Sequence, residues 1–382
     1  MDLDVTHPSI ADLRRTARRR VPHFVWEYLD SATGAENGRA RAEAALDAVR
    51  LMPHVLRGHA PTDLSVTLLG RRYARPFGIA PVGMSGLVWP GAEEMLARVA
   101  AQVGIPYGLS TVAAATPEKV GPRAGGMGWF QLYPPGDAEI RDDLLRRAKE
   151  AGFHTLVLTV DVPVASRRER LRRARLTNPM RITPRAVADA ARRPAWALAT
   201  LGAGIPRLRT LEPYVPISGA RSSTEHAGYL LRTAPDLAYL RALRAAWEGS
   251  LVVKGVLSAN DARDAVEAGA DAVWVSNHGG RQFDGGPAPI HQLPQVRAAL
   301  GPEVPVIYDS GVRSGLDVLR ALALGADFAM LGRAFHYGIA AFGARGAAHV
   351  VDVLTRQIEA DLGQLGCARL SELHRHVVVT ES

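Results

Sequence analysis

The chain has 382 residues, 47% of them apolar, and a formal charge of +8, enough apolar matter for a sizeable core in two or three domains or in one large α/β barrel. No run approaches 18 consecutive apolar residues, so no membrane-spanning helix is expected, and the first ten residues, with two acids and no apolar core, do not read as a secretory leader. Cys367 is the sole cysteine, which excludes an internal disulfide and any multi-cysteine metal centre. The expected setting is the cytoplasm, in solution or peripheral on the inner face of the cell membrane.

The first 76 residues are expected to form a helical cap. From there eight short apolar, β-branched runs follow, at 77–82, 106–110, 129–133, 155–161, 251–254, 272–276, 304–309 and 328–332. They alternate with stretches of period near 3.6, such as 138–151, 259–268 and 314–324. Gly152, Gly269 and Gly325 close these stretches as C-caps leading into strands. The runs are continuously apolar, so both strand faces are covered. Eight such units predict an α/β fold, a (β/α)8 TIM barrel, with residues 1–382 forming one domain.

One connection breaks the rhythm. Residues 162–234 separate strands four and five, and a loop of that length is usually functional, mobile or an added module. From 162 to 232 there are fourteen arginines, no lysine and four acids, a net charge of about +10, while the rest of the chain is slightly acidic. The insert is expected to be partly helical, with a helical start at Pro194, and partly disordered. Anionic lipid would suit it at roughly 1 kcal/mol per basic residue, with Trp196 as an interfacial anchor. A solvated loop whose arginines only make salt bridges is the plain alternative. Nucleic acid is disfavoured, because no recognition fold or aromatic platform accompanies the arginines at 14–20 or 167–175.

Barrel enzymes carry their chemistry at the C-terminal ends of strands. Those positions here are polar or glycine-rich: Val82 and Gly83, Ser110, Gln131 and Tyr133, Thr159 and Asp161, Lys254, Ser276 to Arg281, Asp309 to Arg313, and Gly332 with Arg333. Gly311, Arg313, Gly332 and Arg333 follow strands seven and eight, where barrels bind phosphate. Lys254 ends a buried strand and needs an anion, such as a reduced flavin near its N1 position; a salt bridge to Asp309 and a Schiff-base role are the alternatives. His278 can remove a proton near neutrality, Arg281 can grip a carboxylate, and Asp161 can hold the histidine in one tautomer.

The run Ser276-Asn277-His278-Gly279-Gly280-Arg281-Gln282-Phe283-Asp284-Gly285 closely resembles the active-site signature of the FMN-dependent α-hydroxy acid dehydrogenases and oxidases. Further matches stand at 129–133, 158–161 and 309–313, and the resemblance spans about residues 10–373, weakest over the insert. It implies FMN as cofactor, and His278 taking a proton from the substrate with support from Asp161. It also implies a substrate carboxylate on Arg281 and Arg168 with help from Tyr28, and Tyr133 near the substrate hydroxyl. Lys254 would meet the N1 and O2 edge of the flavin. Ser110, Gln131, Thr159 and Ser276 would contact the isoalloxazine, with Val82 and Gly83 packed on one face. Asp309 would hold the ribityl chain, and Gly311, Arg313, Gly332 and Arg333 the phosphate. Leu109-Ser110-Thr111-Val112 is similar to the respiratory L-lactate dehydrogenase branch, which implies a quinone or other carrier as acceptor and a homotetramer. Val112 stands where many members carry a bulky aromatic, Pro134-Pro135 is unusual, and Ser31-Ala32 replaces a common glycine pair. An oxygen-using oxidase, an isopentenyl diphosphate isomerase on the same barrel and a non-enzymatic flavin sensor are the competing readings.

Overall fold

The computed structural model describes residues 2–58, 62–174, 183–214 and 232–378. A short antiparallel hairpin, β1 (Val66–Leu68) and β2 (Arg71–Tyr73), precedes the eight strands of a closed parallel barrel. These are β3 (Phe77–Ile79), β4 (Tyr107–Ser110), β5 (Gly128–Leu132), β6 (Thr155–Thr159), β7 (Ser250–Val256), β8 (Ala272–Val275), β9 (Val306–Tyr308) and β10 (Phe328–Leu331). Each pairs with its sequence neighbours, and β10 closes on β3. The eight expected runs are these eight strands.

The continuous apolar runs follow from period-two geometry with both faces buried. Trp129, Val157, Val252, Trp274, Ile307 and Phe328 fill the barrel interior. Their neighbours Phe130, Leu156, Val253 and Val273 point outward into the core beneath the surrounding helices. Side-chain oxygens end the loops and start the helices: Ser258 accepts from Asp261 N–H, Ser314 from Asp317 N–H and Asp137 from Glu139 N–H.

The expected helical cap is only part of what precedes the barrel. Helices Ile10–Arg20, His23–Asp30 and Asn37–Ala48 form it, and the hairpin is a separate device. Leu68 and Tyr73 join the interior cluster at the N-terminal mouth of the barrel, and Trp129 Nε1–H donates to Tyr73 Oη at 3.0 Å. The hairpin therefore stoppers the end opposite the site. Its strands have only three residues each, too short for the alternation to register in the sequence.

In the described parts of the insert, helices Glu169–Arg173, Pro184–Ala191 and Pro194–Ala203 are present; residues 175–182 and 215–231 lie outside the described residues. Trp196 corrects the expectation of an interfacial anchor. It is buried, donates its Nε1–H to Leu87 O at 3.2 Å and meets Phe24 edge-on. An indole that packs and hydrogen-bonds inside has nothing left to offer a surface. The same helix instead exposes Leu198 and Leu201, at 69% and 80%.

Tyr73→Phe should leave the Trp129 N–H buried without an acceptor, at a cost of about 1–3 kcal/mol. The expected readout is a lower urea midpoint at an unchanged slope.

Candidate active site

The C-terminal rim of the barrel and the cap enclose a cleft of ≈ 640 Å³, within the roughly 300–1,000 Å³ usual for small-molecule sites. Of the expected residues, Tyr28, Val82, Gly83, Tyr133, Arg168, Lys254, His278, Arg281, Asp309, Gly311, Arg313, Gly332 and Arg333 line it. Ser110, Gln131, Thr159 and Ser276 are buried at the strand ends beside it.

His278 follows β8 with φ +57, a left-handed backbone rare outside glycine. Its N–H donates to Ser276 Oγ at 3.0 Å, and its Nδ1 lies 3.0 Å from Asp161 Oδ1. A carboxylate only accepts, so Nδ1 carries the hydrogen and the Nε2 lone pair is left as proton acceptor. Burial pushes the His278 imidazolium below its ordinary value, partly offset by Asp161. Burial pushes Asp161 up, but His278 and Lys254 outweigh it and hold the carboxyl below its ordinary value. Near neutrality the pair is therefore a neutral histidine on an ionised aspartate. Gly255 makes this possible: it forms a bulge in β7 with φ +110, and a Cβ there would stand 2.5 Å from Asp161 Cβ.

Lys254 is buried among partners on the neighbouring strand ends. Its Nζ donates to Ser276 Oγ at 3.0 Å and lies 3.5 Å from Asp309 Oδ2. Asp309 Oδ1 also accepts from Ser276 Oγ at 2.5 Å and from Ser310 Oγ at 2.7 Å. Burial pulls the ammonium down, but Asp309 and Asp161 outweigh it and raise its pKa. The salt bridge to Asp309 is thus real, and the charged lysine still forms part of the cleft wall.

Arg168 and Arg281 flank Tyr28, with guanidinium carbons 5.4 and 5.7 Å from its ring centre. Arg168 Nη2 and Arg281 Nη1 both donate to Tyr28 O, at 2.8 and 3.1 Å, and Tyr28 Oη donates to Gly83 O at 2.5 Å. Burial, then the neighbouring Arg168, push Arg281 down to about 9. Arg170 fastens this arrangement, donating to Glu27, Asp30 and Glu36 of the cap.

Gly332 caps the helix Arg333–Leu365. Arg333 donates to Ser31 O at 3.1 Å and Gly279 O at 3.0 Å, and burial, then Arg39, push it down to about 10. Arg313 is less committed to the cleft, with Asp47 at 2.8 Å and Asp317 at 3.3 Å. Ser310 and Gly311 both have positive φ, +86 and +84, which turns the loop after β9 sharply.

The sequence reading missed three residues and gave Gly255, at the end of the fifth strand, no role. Arg39 lies beside Arg333 in the cleft, and Gly255 makes room for Asp161. Arg232 is brought in by an isolated bridge to Pro135 and lies 3.9 Å over the Tyr133 ring. Glu93 is buried, and its Oε1 accepts from Gly86 and Ala114 N–H, both at 2.9 Å, tying together the loops after β3 and β4. Only Pro134-Pro135 marked any of these in the sequence.

Two further atoms ask for a ligand. Gln131 Nε2 and Thr159 Oγ1 are buried without a hydrogen-bond partner among the described residues, a state that costs about 1–3 kcal/mol each unless a bound group satisfies it. Among the described residues Arg281 and Arg333 are held by backbone carbonyls rather than by ion pairs, so the cleft fits a ligand set that brings both polar edges and anionic groups.

That demand matches what the chain is related to: it belongs to the FMN-dependent dehydrogenase family, whose pattern covers residues 17–380, and is an FMN-dependent oxidoreductase. It is 38% identical over 377 residues to an L-lactate dehydrogenase of Xanthobacter autotrophicus, covering 98% of this chain and 96% of that one. An L-lactate dehydrogenase of Caulobacter vibrioides is 38% identical, covering 97% of each. A crystal structure of a monotopic membrane protein, (S)-mandelate dehydrogenase, superposes with a TM-score of 0.92 at 35% identity, over 97% of this chain and 98% of that one. A mandelate oxidase bound to benzoylformic acid superposes with 0.81 at 31% identity, over 98% and 99%.

His336 joins the two ends of this wall. Its Nδ1–H donates to Gly332 O at 2.8 Å and its Nε2 lies 2.7 Å from Ser85 Oγ. Burial pushes it down to about 4, whereas an unfolded histidine titrates near 6.5. Between those values the unfolded chain binds a proton that the folded one does not, so stability falls as pH drops from about 6.5 to about 4. Thermal melts across that window should show the loss, and His336→Asn should make it shallower, with the buried His154, also pushed down to about 4, carrying part of the remainder.

Proposed function

We propose that the chain oxidises an L-2-hydroxy acid, L-lactate or a similar acid, to the 2-oxo acid, with all of residues 1–382 serving one FMN-binding barrel. The observation that carries this reading is a neutral His278, oriented by Asp161 at 3.0 Å, in one cleft with two guanidiniums gathered on Tyr28. A base and a carboxylate grip are the two things a 2-hydroxy acid requires.

Arg168 and Arg281 bind the substrate carboxylate, with Tyr28 between them, and Tyr133 orients the hydroxyl. His278 takes the substrate proton at Nε2, and Asp161 stabilises the imidazolium that results. FMN, when bound, supplies the acceptor for the two electrons that leave the substrate. Lys254 would offer positive charge to its N1 and O2 edge. Ser110, Gln131, Thr159 and Ser276 would contact the isoalloxazine, with Val82 and Gly83 against one face. Asp309 would hold the ribityl chain, and Gly311, Arg313, Gly332 and Arg333 the phosphate.

The acceptor is a quinone, reached from an anionic membrane surface. The support is the insert, where exposed Val187, Leu198, Leu201 and Ile205 stand among Arg185, Arg192, Arg193, Arg207 and Arg209, the mixture of apolar and basic side chains that binds a lipid interface. The monotopic membrane character of the mandelate dehydrogenase neighbour agrees with it.

Anaerobic titration of the holoenzyme with L-lactate, D-lactate, glycolate and L-mandelate tests the reaction. An L-acid should bleach the flavin, and His278→Ala should abolish bleaching while keeping FMN bound. Bleaching by none of them would sink the reading. Slow reoxidation in air is expected; rapid reoxidation would make the enzyme an oxidase.

Asp161→Asn should lower the rate of flavin reduction about 10²–10⁴-fold, the range for losing the orienting acid of a catalytic histidine. Because Asp161 opposes the burial that depresses His278, the acidic limb of the pH–rate profile should also move to lower pH.

Arg333→Gln should weaken FMN binding about ten- to hundredfold, the loss expected on removing one charge-assisted contact to phosphate. Fluorescence titration of the apoprotein with FMN reads it directly.

A further inference from the structure

The two prolines after Tyr133 have a structural consequence at the pocket wall. Thr233 N–H donates to Pro134 O at 2.9 Å, and Arg232 bridges Pro135 in antiparallel fashion, so the returning end of the insert is pinned to the loop after β5. That pairing sets the Arg232 guanidinium 3.9 Å over the face of Tyr133, and both side chains line the cleft along with Val112, Val162 and Leu208. Beside the two guanidiniums on Tyr28, the cleft thus carries one on a different tyrosine, Tyr133.

One carboxylate is fully served by Arg168 and Arg281. A cation facing only a methyl group would gain nothing from the substrate, whereas a second carboxylate would be met by a charge-assisted pair. Val112, Val162 and Leu208, which line the same cleft, suit the methylene groups that separate two such ends. We propose that the substrate is a 2-hydroxy dicarboxylate, with its C1 carboxylate on Arg168 and Arg281 and its side-chain carboxylate on Arg232. This rests on the hydroxy-acid reading above and narrows it.

The test is anaerobic reduction of the holoenzyme by L-lactate, L-mandelate, L-malate and L-2-hydroxyglutarate, in wild type and Arg232→Gln. One of the two dicarboxylates should bind at least about tenfold more tightly than L-lactate, and the margin should shrink as salt rises, as it does for charge pairing near solvent. Arg232→Gln should weaken that dicarboxylate about ten- to hundredfold more than L-lactate, the range for losing one charge-assisted pair. Dicarboxylates that bind no better than L-lactate overturn the proposal. So does a variant that weakens all the acids alike, which would leave Arg232 as a prop for Tyr133. Bleaching by L-lactate or L-mandelate in either case leaves the hydroxy-acid reading standing; bleaching by none of the four removes both.

Discussion

The site depends on burying two guanidiniums against the end of one helix. The helix His23–Asp30 terminates under the cleft, and its last carbonyls have no partner within the helix. Arg281 donates to the carbonyls of Tyr28, Leu29 and Ser31, and Arg333 to those of Leu29 and Ser31. The negative end of the helix and the two cations suit each other, which fixes the cap on the barrel. Carbonyl dipoles solvate a cation without neutralising it, however, and both arginines are pushed below their ordinary values by burial. The residual positive potential of the pair faces the cleft, where an anionic ligand group completes the electrostatics.

The insert is tied to the same cap. Arg170 reaches Glu27, Asp30 and Glu36, and Asp30 also receives Arg14 and the Tyr337 hydroxyl. These contacts hold Asp30 well below the usual carboxylate range despite its burial. Arg168 lies two residues before Arg170, with φ +44, so the ion network that anchors the insert also aims a side chain that lines the cleft. The insert in this way contributes a precisely held group to the cleft at its root. Trp196 fastens a second point of the insert to Leu87, leaving the leucines of the same helix outward.

The barrel was legible because eight runs with both faces apolar leave few other solutions, and the strand-end polar residues could be picked out once the runs were placed. The signature around His278 pointed to His278 and Arg281, which the fold brings into one cleft. The hairpin was not legible, because three-residue strands carry no readable period and the value of Tyr73 lies in its distant bond to Trp129. Arg39 and Arg232 were hidden for a related reason. Nothing local distinguishes them from the many other arginines, and only the packing of the cap and the bridge to Pro135 bring them to the cleft. Trp196 misled because an amphipathic side chain near basic residues suits an interface and a buried hydrogen bond equally well in the sequence alone.

The electrostatics of the cleft also couple binding to proton transfer. Burial, Lys254 and Arg281 hold His278 down, while Asp161 holds it up. Under the proposed reaction the substrate carboxylate settles on Arg281 and Arg168 and cancels part of the positive potential that weakens the base. His278 then becomes more basic at the moment a substrate of the right charge arrives. A neutral alcohol of the same shape would leave the potential in place and meet a weaker base. Discrimination in favour of acids is thus exerted twice, once in the grip on the carboxylate and once in the strength of the histidine that the grip releases. The Lys254–Asp309 pair stands apart from this exchange. Its charge is fixed by a buried partner and by the Ser276 and Ser310 hydroxyls, so it can keep a constant positive potential at the cleft wall while His278 changes protonation.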